Sequence, residues 1–170
     1  MNRPKIEIPA TGLSKVLELL TLLSVLLTIG FIAFYFSSLP EMIPIYFNWP
    51  SKVDGFATKN ILWTCPLFSV IIGLTIHKLS RTPWILNYPV SITRENAETN
   101  YKLASGMLQI LSLLISIAFL CLSLMSIYAG LGKPLGWENY FFVLFSILMV
   151  LIPAGYVILS HYKLKEDMTN

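Results

Sequence analysis

The sequence predicts an all-α integral membrane protein, a four-helix transmembrane bundle with both termini in the cytoplasm. Its composition, its long uncharged runs and its distribution of basic residues all indicate this architecture. Hydrophobic residues make up 55% of the 170 residues and charged residues 12%. That charged share is about half of the share in a soluble domain. The mean hydropathy of +0.69 excludes both a disordered chain and a water-soluble surface.

Four apolar runs without a charged residue predict the four helices. They cover 19–36, 60–76, 103–129 and 139–160, about half of the chain. Because an α-helix rises about 1.5 Å per residue, about 20 residues cross a hydrocarbon core about 30 Å thick. The second run is the shortest and contains Pro66. A re-entrant or interfacial segment is therefore the alternative for that run.

The basic residues predict the orientation in the membrane. Nine of the 12 Lys and Arg residues lie in the N-terminal tail, in the connection between the second and third runs, and in the C-terminal tail. The remaining three are Lys52, Lys59 and Lys133. The positive-inside rule then places both termini in the cytoplasm. The net charge of +3 accordingly indicates contact with lipid headgroups, and no basic run is long enough to bind nucleic acid.

These features divide the chain into five parts. They are a cytoplasmic tail (1–15), a unit of span 1, outer loop 37–59 and span 2 (16–76), a cytoplasmic loop (77–102), spans 3 and 4 (103–160), and a second cytoplasmic tail (161–170). Within the cytoplasmic loop, Thr93 has the properties of a helix N-cap, followed by acidic residues in the first turn. We expect one continuous helix from about Arg94 to Ala129.

The outer loop 37–59 has an unusual composition for a solvated connection. Prolines at positions 40, 44 and 50 exclude a regular helix, and Asp54-Gly55 is a turn signal. The residues between them are largely apolar or aromatic. We expect the loop to pack against the outer membrane face or the helix ends. The alternative is a simple turn with interfacial anchors.

The residues give no sign of catalysis, so we expect no enzyme, no catalytic residue and no cofactor. The sequence lacks G-x-S-x-G, H-E-x-x-H and a glycine-rich phosphate loop. Only Glu18 among the ionisable residues lies near a predicted span, close to its cytoplasmic end, which disfavours an ion-coupled transporter. His77 and His161 fall at the inner ends of spans, where they could approach each other, but spacing offers no third metal ligand. We therefore predict no metal site.

The outer loop resembles a known family signature. Leu39-Pro40-Glu41-Met42-Ile43-Pro44-Ile45-Tyr46-Phe47-Asn48, with Asp54-Gly55 and Lys59 downstream, is similar to the pattern of the bacterial domain of unknown function 1648. That pattern reads approximately L-P-x-x-I-P-x-H-F-N-x-x-G-x-x-D-G-x-x-S-K. The chain departs from it at Tyr46, which replaces the histidine, at Ser51 and at Thr58. The stretch Asn87-Tyr88-Pro89-Val90, with Ile92-Thr93 and Glu95-Asn96-Ala97, resembles a Bacteroidetes-type subgroup.

The best-known members of this family are SdpI-like immunity proteins, which protect the producing cell from a secreted peptide toxin. In one such system the protein also holds a transcriptional repressor at the membrane. The resemblance implies a non-enzymatic protein that acts in immunity or envelope sensing through its outer loop. Its partners would be the lipid bilayer and either a peptide toxin or a cytoplasmic regulator. The expected site residues are Pro40, Pro44, Tyr46, Phe47, Asn48, Asp54, Gly55 and Lys59.

Two other functions stay open at this point. The first is a structural or scaffold subunit whose helix 94–129 presents its cytoplasmic end to a soluble partner. The second is a small transporter, which the scarcity of ionisable groups inside the spans makes the less favoured reading.

Overall fold

The protein is mostly helical in a computed structural model that describes residues 3–48, 52–133 and 135–169. Four helices are long and apolar enough to cross a membrane. They are α1 (Gly12–Tyr35), α2 (Thr64–Arg81), α3 (Ala97–Gly130) and α4 (Glu138–Thr169). Helices α3 and α4 each contain one of the four uncharged runs. The run 19–36 extends one residue beyond α1, and the run 60–76 begins four residues before α2. The four predicted spans are thus confirmed as helices of sufficient length and apolarity, as expected of a multi-pass membrane protein.

Pro66 does not interrupt the second of these helices. It lies in the first turn of α2, where a proline removes no hydrogen bond that the helix would otherwise make. A short 3₁₀ segment, Lys59–Trp63, precedes α2 and extends the apolar element to Lys59–Arg81. The element therefore has the length to span a bilayer even though its uncharged run is the shortest.

A β-hairpin connects α1 to α2, so the structure is not all-α as predicted. Strand β1 (Met42–Asn48) pairs antiparallel with β2 (Lys52–Thr58), from Met42 opposite Thr58 to Asn48 opposite Lys52. The prediction of a turn at Asp54-Gly55 is wrong, because both residues lie within β2. Gly55 instead lies opposite Tyr46 where the register shifts on either side, and a glycine inside a strand often marks such an irregularity.

A small apolar core holds the hairpin against the helices at one end of the bundle, which we call the hairpin end. Its buried members come from α1, the base of the hairpin, the 59–63 segment and α3: Ile32, Leu39, Ile43, Leu62 and Ile127. At the same end the hydroxyls of Tyr35 and Tyr128 lie 3.4 Å apart, between α1 and α3. The base of the hairpin therefore packs on the helix ends, one of the two expected environments of the outer loop.

The opposite end of the bundle, formed by residues 3–11 and 82–96, is called the tail end here. The N-terminal segment is bound across it: Arg3 Nη1 donates to the carbonyl oxygens of Trp84 and Leu86, and the Tyr101 hydroxyl donates to the Pro4 carbonyl at 3.0 Å. The segment then enters α1 at Thr11, whose hydroxyl accepts a hydrogen bond from the Ser14 N–H at 3.1 Å. The N-terminal residues thus form part of the folded structure.

Helix α3 begins three residues later than the predicted Arg94. Thr93 and Asn96 bond reciprocally: Asn96 Oδ1 accepts from the Thr93 N–H at 2.9 Å, and Thr93 Oγ1 accepts from the Asn96 N–H at 3.4 Å. This pair closes a turn over 94–96 that precedes the regular helix. The N-cap of α3 is therefore Asn96, and the prediction of Thr93 as the N-cap is wrong; its hydroxyl instead stabilises the turn that precedes the helix.

Helix α3 is the centre of the bundle, and α4 lies at its periphery. In the most apolar stretch of each helix, 39% of the residues are buried in α3 and none in α4. Serines of α3 bind its neighbours, since Ser105 Oγ donates to the Ser80 carbonyl of α2 and Ser116 Oγ to the Thr21 carbonyl of α1. Such small polar side chains are typical contacts between membrane helices.

Candidate functional site

Lys59 joins the two sides of the hairpin base. Its Nζ donates to the Leu39 carbonyl at 3.3 Å, lies 3.9 Å from Glu41 Oε2 and is 5.0 Å from the centre of the Phe36 ring. Its backbone N–H donates to the Glu41 carbonyl at 2.9 Å. The side chain is only 19% exposed, whereas that of Glu41 is 70% exposed. The carbonyl and ring contacts of Lys59 thus fix the chain entering β1 to the chain leaving β2.

Ile43 anchors the hairpin to α3 through a close approach at Gly130. The Ile43 side chain is fully buried. A methyl group placed on Gly130 would lie 3.0 Å from Ile43 Cγ2 and 3.1 Å from Leu39 Cδ2, tighter than ordinary van der Waals contact. The absence of a side chain at Gly130 therefore lets β1 pack directly on the end of α3.

Six of the eight expected site residues lie in the strands of the hairpin, and the other two, Pro40 and Lys59, flank it. Pro40 is exposed before β1, Pro44 is buried within β1 opposite Phe56, and Gly55 in β2 is half-buried. The backbones of Tyr46, Phe47, Asn48 and Asp54 lie in the strands, and their side chains lie outside the described part of the structure. Lys59 follows β2 directly.

The register separates the expected residues along the hairpin. Asn48 pairs with Lys52 at the far end, while Lys59 lies beyond the Met42–Thr58 pair at the base. Seven residues of extended chain cover roughly 20 Å. Asn48 and Lys59 are consequently at opposite ends of the element, one distant from the helices and one bound to them.

A second polar site lies at the tail end, between α1 and α2. Glu18 Oε1 is 3.1 Å from His77 Nδ1 and 3.9 Å from Arg81 Nη2. The three side chains are 32%, 48% and 46% exposed. His77 thus contacts Glu18, whereas His161 Nδ1 lies 2.9 Å from the Val157 carbonyl of its own helix. The two histidines thus have different partners, and the suggested pairing of His77 with His161 is not observed.

A cleft of about 280 Å³ extends from this ionic cluster into the bundle. Its polar lining comes from all three helices, with Thr21 on α1, Ser69 on α2, and Gln109 and Ser112 on α3. Ser69 is 2% exposed, and its hydroxyl has no hydrogen-bond partner among the described residues. A buried polar group without a partner costs about 1–3 kcal/mol, so this hydroxyl is a candidate contact for a ligand.

Sequence reasoning missed this cleft, although one signal was present. The polar residues of α3 at 105, 109, 112 and 116 recur at helical spacing inside an apolar run, so they share one face. The ionic cluster was missed for a different reason. His77 and Arg81 follow the uncharged run, and only the continuation of α2 to Arg81 places them beside Glu18. In the described residues, no three His, Cys, Asp or Glu side chains converge as a metal site.

The connection at the tail end contains two groups with altered acidity. Burial raises the pKa of the Tyr88 hydroxyl, with smaller contributions from Tyr156 and Tyr101, and Arg3 opposes this rise. The Tyr88 hydroxyl donates to the Pro83 carbonyl at 2.9 Å, and this hydrogen bond requires the protonated form of Tyr88. Hydrogen bonding to Thr93 and to its own backbone lowers the pKa of the exposed Glu95 carboxyl. Tyr88 and Glu95 therefore make hydrogen bonds within the connection itself.

Comparison with known proteins identifies a family model that matches part of the chain. No curated protein and no solved structure matches the chain. The family model described as "Domain of unknown function (DUF1648)" matches residues 23–70. This stretch runs from the middle of α1 through the hairpin into the first turns of α2. The match therefore supports the presence of a domain of the DUF1648 family at residues 23–70 of the chain.

Proposed function

We propose that this chain is a non-enzymatic protein of the bacterial inner membrane whose hairpin recognises a ligand at the outer face. Immunity of the SdpI-like kind, directed against a secreted peptide, is the specific role we favour. The observation that carries the proposal is the anchored hairpin. Its base is fixed by Lys59 and by Ile43 on Gly130, so its far end is presented from a rigid support.

The strands of this hairpin also suit a peptide partner. The sheet has two strands, so each has an edge that the other does not cover. An extended peptide can bind such an edge as an additional strand through backbone hydrogen bonds. Pro44 removes one donor from β1, whereas β2 contains no proline and keeps every N–H. We therefore place the peptide along β2.

A protection assay tests this function. Cells lacking the protein are grown in culture supernatant from unmodified siblings, and survival and membrane depolarisation are recorded. The intact protein should restore survival. Asp54→Ala and Asn48→Ala should fail to do so at equal protein level, because both lie in the part of the hairpin distant from the helices.

The matched control is Glu98→Ala, at the start of α3 on the opposite side of the bundle, which should protect as well as the intact protein. Full protection by Asp54→Ala and Asn48→Ala would refute the assignment of these residues. Equal survival with and without the protein, in supernatant shown to contain the strain's secreted peptides, would refute self-immunity.

The scaffold alternative makes a different prediction about the first turns of α3. There Ala97, Asn100 and Tyr101 are fully buried, and Tyr101 binds the N-terminal segment, while Glu95 and Glu98 stay exposed. A soluble cytoplasmic partner would therefore meet only the exposed face. A photo-crosslinker at Glu95 should capture it under the scaffold hypothesis. A crosslinker at Trp49, which lies outside the described residues, should capture the ligand under the immunity hypothesis.

A further inference from the structure

The cleft between α1, α2 and α3 has the chemistry of a binding site for an uncharged headgroup. Its carboxylate, Glu18, is already neighboured by His77 and Arg81, so the ionic cluster at its mouth compensates its own charge. The remaining polar lining is made of hydroxyl and amide groups. Such groups bind hydroxyl and carbonyl oxygens without favouring a net charge.

The side of the cleft opens on an apolar surface of the candidate spans. Leu22, Val70 and Leu74 line it and are 55%, 41% and 67% exposed. All three lie within the helical stretches that are long and apolar enough to cross a membrane. In a bilayer this surface faces acyl chains, so an occupant can enter from the lipid and leave an apolar tail there.

The size of the cleft and its unpartnered hydroxyl define the occupant further. A volume of about 280 Å³ is at the lower limit of small-molecule pockets, which suits a headgroup and the first part of a chain. Ser69 Oγ is buried without a partner, so an incoming hydroxyl or ester oxygen would complete its hydrogen bonding.

We propose that this cleft binds a neutral, hydroxylated amphiphile of the monoacylglycerol type. The headgroup lies among Ser69, Gln109 and Ser112, and the acyl chain passes Leu22 and Leu74 into the bilayer. This site is separate from the hairpin, so its ligand is additional to the peptide proposed above.

Gly73 provides a way to close the cleft. A methyl group on Gly73 would make ordinary contacts of 3.9 Å with Ser112 Oγ and Thr21 Cγ2. Gly73→Ala should therefore fold normally and retain binding, whereas the longer side chain of Gly73→Leu should fill the space of the headgroup. If Gly73→Leu reduces binding and Gly73→Ala does not, the reduction results from the lost volume of the cleft and not from the loss of the glycine itself.

Ser69 and Ser24 form a matched pair for testing the headgroup contact. Both are buried serines whose hydroxyls lack a partner within the described chain, but only Ser69 lines the cleft. Neither change removes an existing hydrogen bond, so both variants should fold. Ser69→Ala should weaken binding about fivefold, the effect of one neutral hydrogen bond, and Ser24→Ala should leave it unchanged.

The experiment uses the full chain in phosphatidylcholine nanodiscs. The probe is a monoacylglycerol with a photoreactive diazirine in its chain, and the matched probe is the fatty acid of the same length. Labelling by the monoacylglycerol should be saturable and should map near Leu22 and Leu74. It should fall at least about tenfold in Gly73→Leu, as expected when the space for the headgroup is filled.

Two results would overturn the proposal. One is equal labelling by the fatty acid and the monoacylglycerol, which would indicate unspecific contact with lipid. The other is equal labelling of Ser69→Ala and Ser24→Ala, which would remove the headgroup from the cleft. Because Ser69→Ala and Gly73→Ala should both fold, the conclusion does not depend on the stability of Gly73→Leu.

Discussion

At the scale of single residues, Gly130 is the point where the hairpin and α3 depend on each other most directly. The substitution Gly130→Ala would bring a methyl group to 3.0 Å from Ile43 Cγ2 and 3.1 Å from Leu39 Cδ2. Overpacking of this kind costs about 1–3 kcal/mol, and because Gly130 is the last residue of α3, the gain in helix propensity is smaller than the gain of about 0.5–1 kcal/mol in a helix interior. We expect the free energy of unfolding to fall by about 1 kcal/mol, measured by denaturation in mixed micelles.

Gly106→Ala is the control in the same helix. A methyl group there meets nothing within 4 Å, so only the helix propensity changes. The free energy of unfolding should rise by about 0.5–1 kcal/mol. If both substitutions changed stability in the same direction, the close approach of β1 to α3 would not be the reason for the glycine at 130.

Lys59 is the second residue whose role can be separated from its surroundings. Lys59→Met keeps the apolar stem but removes the hydrogen bond to the Leu39 carbonyl and the contact with the Phe36 ring. We expect a loss of about 1–2 kcal/mol, since hydrogen bonds from charged groups contribute about 1.5–3 kcal/mol and this one is partly exposed. Limited proteolysis of the hairpin should report the loss as faster cleavage between β1 and β2.

Glu41→Gln tests whether the ion pair of Lys59 matters. The two charged atoms are 3.9 Å apart and Glu41 is 70% exposed, so this substitution should change stability by less than about 0.5 kcal/mol. A loss in Glu41→Gln as large as that in Lys59→Met would show that the ion pair, and not the carbonyl bond, closes the hairpin.

At the scale of elements, the start of α3 depends on side chains that precede the helix. Thr93→Ala removes the hydroxyl that accepts from the Asn96 N–H and binds the Glu95 carboxyl. Loss of such a hydrogen bond costs about 1 kcal/mol, so amide exchange over 96–100 should accelerate. Ser91→Ala is the control, because Ser91 contributes only its backbone carbonyl, which accepts from Asn96 Nδ2 at 3.0 Å.

The same turn gives a pH dependence with a defined sign. Thr93 lowers the pKa of Glu95 below its ordinary 4.5, so the ionised carboxylate stabilises the folded turn. This contribution is present above pH 4.5 and is lost as the pH falls through the lowered folded value. Amide exchange over 96–100, corrected for its intrinsic pH dependence, should therefore increase in acid. Glu95→Gln should abolish that increase, and its persistence would exclude Glu95 as the cause.

Elements formed by local sequence could be predicted, and those formed by distant contacts could not. The four helices follow from the length and apolarity of the runs. A run long enough to cross a membrane must make its backbone hydrogen bonds within itself, and an α-helix does so. The hairpin escaped prediction because Met42–Asn48 has no alternation of polar and apolar residues, and Ile43 packs on Gly130, far along the chain. The cleft likewise combines residues from three helices.

At the scale of the whole molecule, the two ends of the bundle are formed by different structures. The hairpin occupies one end of the bundle, and the N-terminal segment with the 82–96 connection occupies the other. Helices that alternate in direction therefore bring the DUF1648-like hairpin and the ionic cluster to opposite sides of a membrane. A ligand of the hairpin and a partner of the tail end would then act in different compartments.

The distribution of basic residues predicts that the tail end faces the cytoplasm, and labelling can test this prediction. With Cys65 and Cys121 replaced by alanine, a single cysteine is introduced as Phe56→Cys in β2 or as Glu98→Cys in α3. Both positions are well exposed, since 61% of the Phe56 residue and 61% of the Glu98 side chain are accessible, so differences in labelling will report compartment and not burial. The positive-inside rule predicts that a membrane-impermeant maleimide labels Phe56→Cys in intact bacteria and Glu98→Cys only after lysis. The reverse pattern would invert the molecule, place the hairpin in the cytoplasm and leave a secreted peptide without access to it.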